Sequence, residues 1–269
     1  MFNNSTPWRH FMSRKQRAIK NNKQANVFEL TNALINNTKA WEEGPKRKTW
    51  SKHDLRTIRP LTVAQEDMFH AYINNYNICG YGTAGTGKTF LALYLALTEV
   101  FDEKSDVDHI IIVRSTVPTR EIGHLPGSVG EKLAPYEEPY HDMLHELIGR
   151  ASTYEDMKAA KLIEFKSTSF IRGTTWNNAV IIVDEPQNMT MHEFDSVITR
   201  AGENTKLIVV GDVRQNDLVN SRKETSGFVD VLKVIENMPE FSMVRFYPQD
   251  IVRGPLVKSW IMAREGLGV

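Results

Sequence analysis

A single cysteine, Cys79, stands in the 269 residues of this chain, which excludes a disulfide framework and a cysteine-cluster metal site. That scarcity suits a reducing compartment, and the expected location is the cytoplasm. Long apolar runs are missing as well. Stretches such as Ile110 to Val113 and Leu207 to Val210 fall far short of the ~20 residues needed to cross a bilayer. The N-terminus has no apolar core of the kind a secretory signal requires. Acidic residues are absent before Glu29. That start is superficially similar to an organellar transit peptide, but Asn-rich stretches interrupt any amphipathic face. Net charge is lacking too, since 33 Lys and Arg balance 33 Asp and Glu. The balance conceals a split. Residues 1–59 hold 13 basic against 4 acidic residues, and residues 60–269 hold 20 against 29. A basic arm is joined to an acidic body.

What is present is ordinary globular composition, 41% hydrophobic and 25% charged. The arm, residues 1–59, reads as a weakly ordered extension with one short helix expected at Val27 to Ile35. The body, residues 60–269, opens with Leu61, Gln65, Met68, Phe69, Tyr72 and Ile73 at helical spacing, behind a capping-box pattern Thr62-Val63-Ala64-Gln65. Strands are then expected at Asn77 to Tyr81, His109 to Arg114, Ala179 to Val183 and Leu207 to Val210, with a weaker one at Met243 to Tyr247. Helices are expected at Lys88 to Phe101, Pro139 to Ile148, Met191 to Ala201, Gly227 to Glu236 and Leu256 to Ala263. Strands that are apolar throughout, alternating with helices, predict an α/β fold with a mostly parallel sheet covered on both faces.

The sharpest motif is Gly82-Thr83-Ala84-Gly85-Thr86-Gly87-Lys88-Thr89, between an expected strand and an expected helix. Glycines let successive backbone N–H groups curl around a phosphate, and the helix N-terminus adds partial positive charge. Lys88 is expected on the β- and γ-phosphates and the Thr89 hydroxyl on Mg2+. The run Ala179 to Val183 ends in Asp184-Glu185, at the strand end that faces the ligand crevice. Asp184 is expected to hold Mg2+ and Glu185 to polarise the attacking water. A third strand ends in Gly211-Asp212-Val213-Arg214-Gln215. Gln215 there can reach the γ-phosphate or its water, while the plainer reading is a polar turn with Asp212 as a helix N-cap.

With these motifs in place, the body resembles the PhoH family of P-loop ATPases, itself similar to the RecA-like core of superfamily-one helicases. Arg172-Gly173-Thr174-Thr175 leading to Asp184-Glu185-Pro186-Gln187-Asn188 resembles its R-G-x-T and D-E-A-Q-N. Leu125-Pro126-Gly127 and Glu131-Lys132-Leu133-Ala134-Pro135-Tyr136 resemble its L-P-G and E-K-x-x-P-Y. Gly211-Asp212 with Gln215 and Asp217, and Asp250-Ile251-Val252-Arg253 with Pro255-Leu256-Val257, resemble two further stretches. Pro186 and Gly254 depart from the pattern, and the Asn-rich arm looks like that of a phage-type version. The resemblance implies ATP and Mg2+ as cofactors, hydrolysis, and action on RNA or single-stranded DNA. It gives Gln65 a role in reading adenine and Arg253 a role on the γ-phosphate. Superfamily-one helicases close their site with a second RecA-like domain, for which the length leaves no room, so a homo-oligomer, a hexameric ring by the family's pattern, is expected instead.

Arg114, at the end of the second strand, and Arg172 are candidate nucleic-acid contacts; a solvated strand-end arginine is the plainer reading of the first. Arg14, Lys15, Arg17, Lys20 and residues 46–48 can supply salt-dependent, sequence-independent binding. His141 and His145 lack a third ligand and read as surface histidines, and Cys79 reads as a small core residue. Two rival functions stay open at this point: a P-loop kinase of a nucleotide or small metabolite, and a nucleotide-gated interaction protein with negligible turnover.

Overall fold

The structure, a computed structural model, describes residues 50–116, 129–171, 173–212 and 227–267, with side chains of the second segment from residue 133. The chain divides into two units, Met1–Thr49 and Trp50–Val269, and only the second holds described residues. The helix expected at Val27 to Ile35 lies outside them.

In chain order the body forms α1 (Val63–Ile73), β1 (Asn77–Gly82), α2 (Lys88–Val100), β2 (His109–Arg114), α3 (Val129–Ile148), α4 (Thr153–Ala159) and β3 (Ile163–Ser167). Then follow β4 (Ala179–Asp184), α5 (Met191–Ile198), β5 (Lys206–Gly211), α6 (Phe228–Glu236), β6 (Phe241–Phe246) and α7 (Pro255–Leu267). The strands make one six-stranded sheet in the order β3-β2-β4-β5-β1-β6. Every pairing is parallel. This is the expected RecA-like α/β P-loop core, with β5 inserted between the strand of the phosphate loop and the strand of the paired carboxylates.

Period-two alternation divides the strand side chains between two cores. Ile78, Ile110, Ile112, Val180, Ile182, Ile208 and Val210 pack with α1 to α4 on one face. Cys79, Ile111, Val113, Ile181, Val183 and Val209 pack with α5 and α6 on the other. Burial pushes the Cys79 thiol up to about 12, so it is an inert core residue as expected.

Two elements escape the periodicity argument for identifiable reasons. Strand β3 pairs with β2 alone, so it is an edge strand, and it offers only Ile163 and Phe165 between polar residues. Helix α4 buries little beyond Tyr154 and Met157. Helix α3 runs through both Pro135 and Pro139 where a start at Pro139 is expected. Each proline costs a backbone donor, and burial of Tyr140, Leu144 and Leu147 offsets that loss.

The packed body also starts before Pro60. Trp50 stacks on Phe101 with ring centroids 6.3 Å apart and planes 5° apart. The Arg150 guanidinium lies 5.9 Å from the Trp50 ring, and Arg56 N–H donates to the Leu147 carbonyl at 2.8 Å. Trp50→Ala should therefore lower stability by about 2–3 kcal/mol in urea unfolding, as loss of a half-buried stacked indole does; an unchanged midpoint would place Trp50 outside the folded unit.

Candidate active site

The phosphate loop joins β1 to α2 at the carboxyl edge of the sheet. Three of its glycines have positive φ: Gly82 at 124°, Gly85 at 74° and Gly87 at 82°. At Gly82 the space is as restrictive as the dihedral, because an added Cβ would sit 2.1 Å from the Phe246 carbonyl oxygen on β6. The loop is thus threaded between β6 and α7. Val252 N–H donates to the Gly85 carbonyl at 3.1 Å, and Ile261 and Arg253 lie where a Gly85 side chain would stand.

Lys88 is buried, and its Nζ donates to the carbonyls of Thr83 at 2.7 Å and Gly82 at 3.2 Å, with Thr86 Oγ1 at 3.4 Å. Burial lowers its pKa, and Asp212, Glu185 and Asp184 oppose that shift. Thr86 Oγ1 in turn donates to the Thr83 carbonyl at 3.1 Å. The loop therefore keeps its curl through its own side chains.

Thr89 Oγ1 donates to Asp184 Oδ1 at 2.8 Å, joining the first turn of α2 to the end of β4 across a separation of 95 residues. A hydroxyl and a carboxylate oxygen side by side form the hard oxygen pair that magnesium prefers. Asp184 Oδ2 accepts from the Tyr140 hydroxyl at 2.7 Å. Burial, then the charge of Asp184, pushes the Tyr140 pKa well above its usual value, so the phenol stays a donor.

Glu185 follows in the left-handed region, φ 53° and ψ 47°, an uncommon conformation for a non-glycine residue and one that clusters at functional sites. Burial, then Asp184, raises its pKa above the ordinary carboxylate value; Arg114, Gln187 and Lys88 oppose part of the rise. The Gln187 amide donates to Glu185 Oε2, while its Oε1 accepts from Asp212 N–H at 3.1 Å. Gln187 is 1% exposed. It ties the general-base candidate to the end of β5.

Two adjoining cavities complete the site. One, of about 340 Å³, is lined by the loop from Ala84 to Thr89 and by Arg114, Asp184, Glu185, Asp212 and Arg253. The other, of about 490 Å³, is lined by Ile58, Arg59, Leu61, Gln65, Phe90, Asp142 and Glu146, and shares Gly87, Phe90, Pro139, Met143 and Arg253 with the first. The first takes in the Ala84–Thr89 loop and the paired carboxylates, and the second opens beside it under α1 and α3.

The structure thus brings together Gly82 to Thr89, Asp184, Glu185 and Arg253, all from the expected set. Arg253 is exposed and belongs to the phosphate cavity of its own chain. Gln65 is buried; its amide donates to the Thr86 carbonyl at 2.9 Å, and its Oε1 accepts from Leu61 N–H at 2.8 Å. The cap on α1 uses different atoms, since Thr62 Oγ1 accepts from the Gln65 backbone N–H at 3.3 Å. The side chain thus joins the phosphate loop at its amide nitrogen to the backbone just before the N-cap at its oxygen. Arg114, read from the sequence as either a nucleic-acid contact or a solvated strand end, is half-buried. It lines the phosphate cavity; burial alone would lower its pKa, but the charges of Tyr140, Asp184 and Glu185 together raise it. Asp212 likewise faces the phosphate cavity and caps no described helix. Gln215 and Arg172 lie outside the described residues.

Tyr140 and Gln187 are the functional neighbours that motif reading overlooks. Tyr140 sits in a helix whose start is blurred by prolines. Gln187 carries a signal, its position three residues after Asp184 on the strand end. Of the histidines, His141 stacks on Tyr154 with centroids 4.1 Å apart. Among the described residues no group of His, Cys, Asp and Glu has metal-cage geometry, and no helix is long and apolar enough to cross a membrane.

The family profile described as "PhoH-like protein" matches residues 57–265. A "PhoH-like protein" of Bacillus subtilis is 32% identical over 238 residues, covering 88% of this chain and 73% of that protein. A "PhoH-like protein" of Synechocystis is 37% identical, covering 77% of this chain and 62% of that protein. "Protein PhoH" of Escherichia coli is 35% identical, covering 78% of this chain and 60% of that protein. The chain therefore spans less than two thirds of the length of the last two. Among solved structures, the large terminase of bacteriophage HK97 is similar at 14% identity and TM-score 0.47, over 82% of this chain and 50% of that one. The Pif1 helicase of Candida albicans is similar at 17% identity and TM-score 0.36, over 72% and 42%. At these scores the likenesses add nothing to the fold seen directly in the sheet.

Gln187 offers a direct check on this geometry. Gln187→Leu removes both bonds and strands a buried Asp212 N–H, so urea unfolding should show a loss of about 2 kcal/mol. A neutral effect would mean that the Glu185–Gln187–Asp212 link carries no weight.

Proposed function

The chain belongs to the PhoH-like protein family, and from that membership and its P-loop site we propose that it is a magnesium-dependent ATPase that couples hydrolysis to RNA or single-stranded DNA. The observation that carries the reading is the contact of Thr89 with Asp184, with Glu185 next in sequence and Lys88 beside it.

In this reading the backbone N–H groups of Gly85 to Thr89 receive the β-phosphate at the N-terminus of α2. Lys88 exchanges the carbonyls of Gly82 and Thr83 for phosphate oxygens. Its three N–H donors are already aimed into the loop, so the exchange needs a short movement of one side chain. Thr89 and Asp184 are the residues that would hold Mg2+, which when bound neutralises part of the triphosphate charge. Glu185 takes a proton from the attacking water, and its raised pKa makes it a stronger acceptor than an exposed carboxylate. Arg253 and Arg114 offset charge that builds on the γ-phosphate, both from within one chain. Gln215 is proposed to report hydrolysis beyond the phosphate site. The second cavity takes the base, and Gln65 couples that cavity to the Thr86 carbonyl of the loop.

The polymer part of the proposal draws on the basic residues of the arm, among them Arg14, Lys15, Arg17 and Lys20, and on Arg172. Assembly into a ring is supported by α7, where Leu256 is 83% exposed and Trp260 is 71% exposed; an apolar face of that kind suits another copy of the chain.

Two outcomes are expected. Glu185→Gln should lower the rate of ATP hydrolysis by at least about a hundredfold, while affinity for ATP measured by equilibrium binding stays within a few fold; unchanged turnover would remove Glu185 as the base. Single-stranded RNA or DNA should raise the ATPase rate, with stimulation falling steeply with salt, and deleting residues 1–49 should weaken polymer binding but leave ATP affinity intact. The cut falls at Thr49 because Trp50 onward packs in the body. Rates indifferent to polymer would favour the interaction-protein reading, and phosphate transfer to a small acceptor would favour the kinase.

A further inference from the structure

We infer that Tyr140 is a positioning residue for the magnesium site, holding the Asp184 carboxylate in the orientation that receives the metal. The inference rests on the nucleotide reading above and extends it to a residue on a different element, α3.

A carboxylate swings both of its oxygens about one soft torsion. A donor on one oxygen leaves that swing open; a donor on each closes it. Thr89 Oγ1 engages Oδ1 at 2.8 Å and the Tyr140 hydroxyl engages Oδ2 at 2.7 Å. Thr89 is itself assigned to the metal, so its hydroxyl is shared between two tasks. Tyr140 is the donor with no second task.

The direction of the Tyr140 hydrogen follows from its partner. An ionised carboxylate accepts and cannot donate, so the phenol hydrogen goes to Asp184. The positive charge of Arg114 nearby lowers the phenol's pKa in part, but a guanidinium has no acceptor and leaves that hydrogen to Asp184.

The phenol is also mounted rigidly. Tyr140 is 1% exposed, and its ring packs against Phe165 of β3 with centroids 6.0 Å apart. One turn earlier on α3, the buried Glu137 accepts from the Tyr154 hydroxyl at 2.9 Å and from Lys158 Nζ at 2.5 Å, both on α4. A hydroxyl held this firmly transmits the position of α3 to the metal-side carboxylate. A tyrosine that merely filled the core would have no bearing on magnesium.

The test titrates magnesium against the full-length protein holding a fluorescent, non-hydrolysable ATP analogue at saturation, and separately measures analogue affinity in EDTA. Tyr140→Phe keeps the ring and removes only the donor. Loss of such an outer partner typically costs 10–100-fold in metal affinity, so the magnesium midpoint should rise about tenfold or more while affinity in EDTA stays unchanged. Tyr154→Phe removes an equally buried hydroxyl that bonds Glu137 rather than Asp184, and Lys158 still holds Glu137, so the midpoint should move far less than in Tyr140→Phe. If Tyr140→Phe fails to fold, Tyr140→4-methylphenylalanine, which fills the space of the hydroxyl without a donor, carries the test and should raise the midpoint likewise. A wild-type midpoint in Tyr140→Phe, or an equal rise in Tyr154→Phe, overturns the inference. Failure of the wild-type protein to bind the analogue at all overturns the nucleotide reading, and the inference with it.

Discussion

Asp184 is the junction on which the site depends. Its two oxygens receive hydroxyls from α2 and α3, and its backbone ends the strand at the middle of the sheet. A buried carboxylate without donors would be costly. Here the same two bonds that make its burial tolerable also lock the phosphate loop, through Thr89, and α3, through Tyr140, to β4. Stability and site geometry are therefore one constraint, and neither Thr89 nor Tyr140 can be replaced for one purpose without disturbing the other.

A second layer of order comes from two amide side chains that tie the site's elements to one another. Gln187 links Glu185 to the end of β5, and Gln65 links α1 to the loop at Thr86. Each spends both ends of a side-chain amide on internal partners. The strained backbone at Glu185 is retained because Gln187 holds the side chain and Val210 accepts the Glu185 N–H at 3.1 Å.

Much of this was legible from the chain alone. Gly82 to Thr89 and Asp184-Glu185 are local patterns whose chemistry fixes their spacing, and apolar strands between helices leave few alternatives to a parallel sheet. The expectation weakened where meaning depends on distant partners. Arg114 reads locally as a strand-end charge, yet β2 and β4 are neighbours, so its side chain meets Asp184 and Glu185. Tyr140 has no motif because its partner is 44 residues away. Strand β3 is faint because an edge strand shows alternation over only a few residues, and the limit of the arm was drawn by charge, which cannot see that Trp50 stacks on Phe101.

The place of β5 in the sheet has a metric consequence. With β5 between them, β1 and β4 stand two strand spacings apart, roughly 9–10 Å. That gap sets how far the loop at the end of β1 stands from the paired carboxylates at the end of β4. Asp212, just past the end of β5, stands between them and is tied to the β4 side by its bond to Gln187. A shift of β5 is therefore felt first by Glu185 and its amide partner rather than by Lys88.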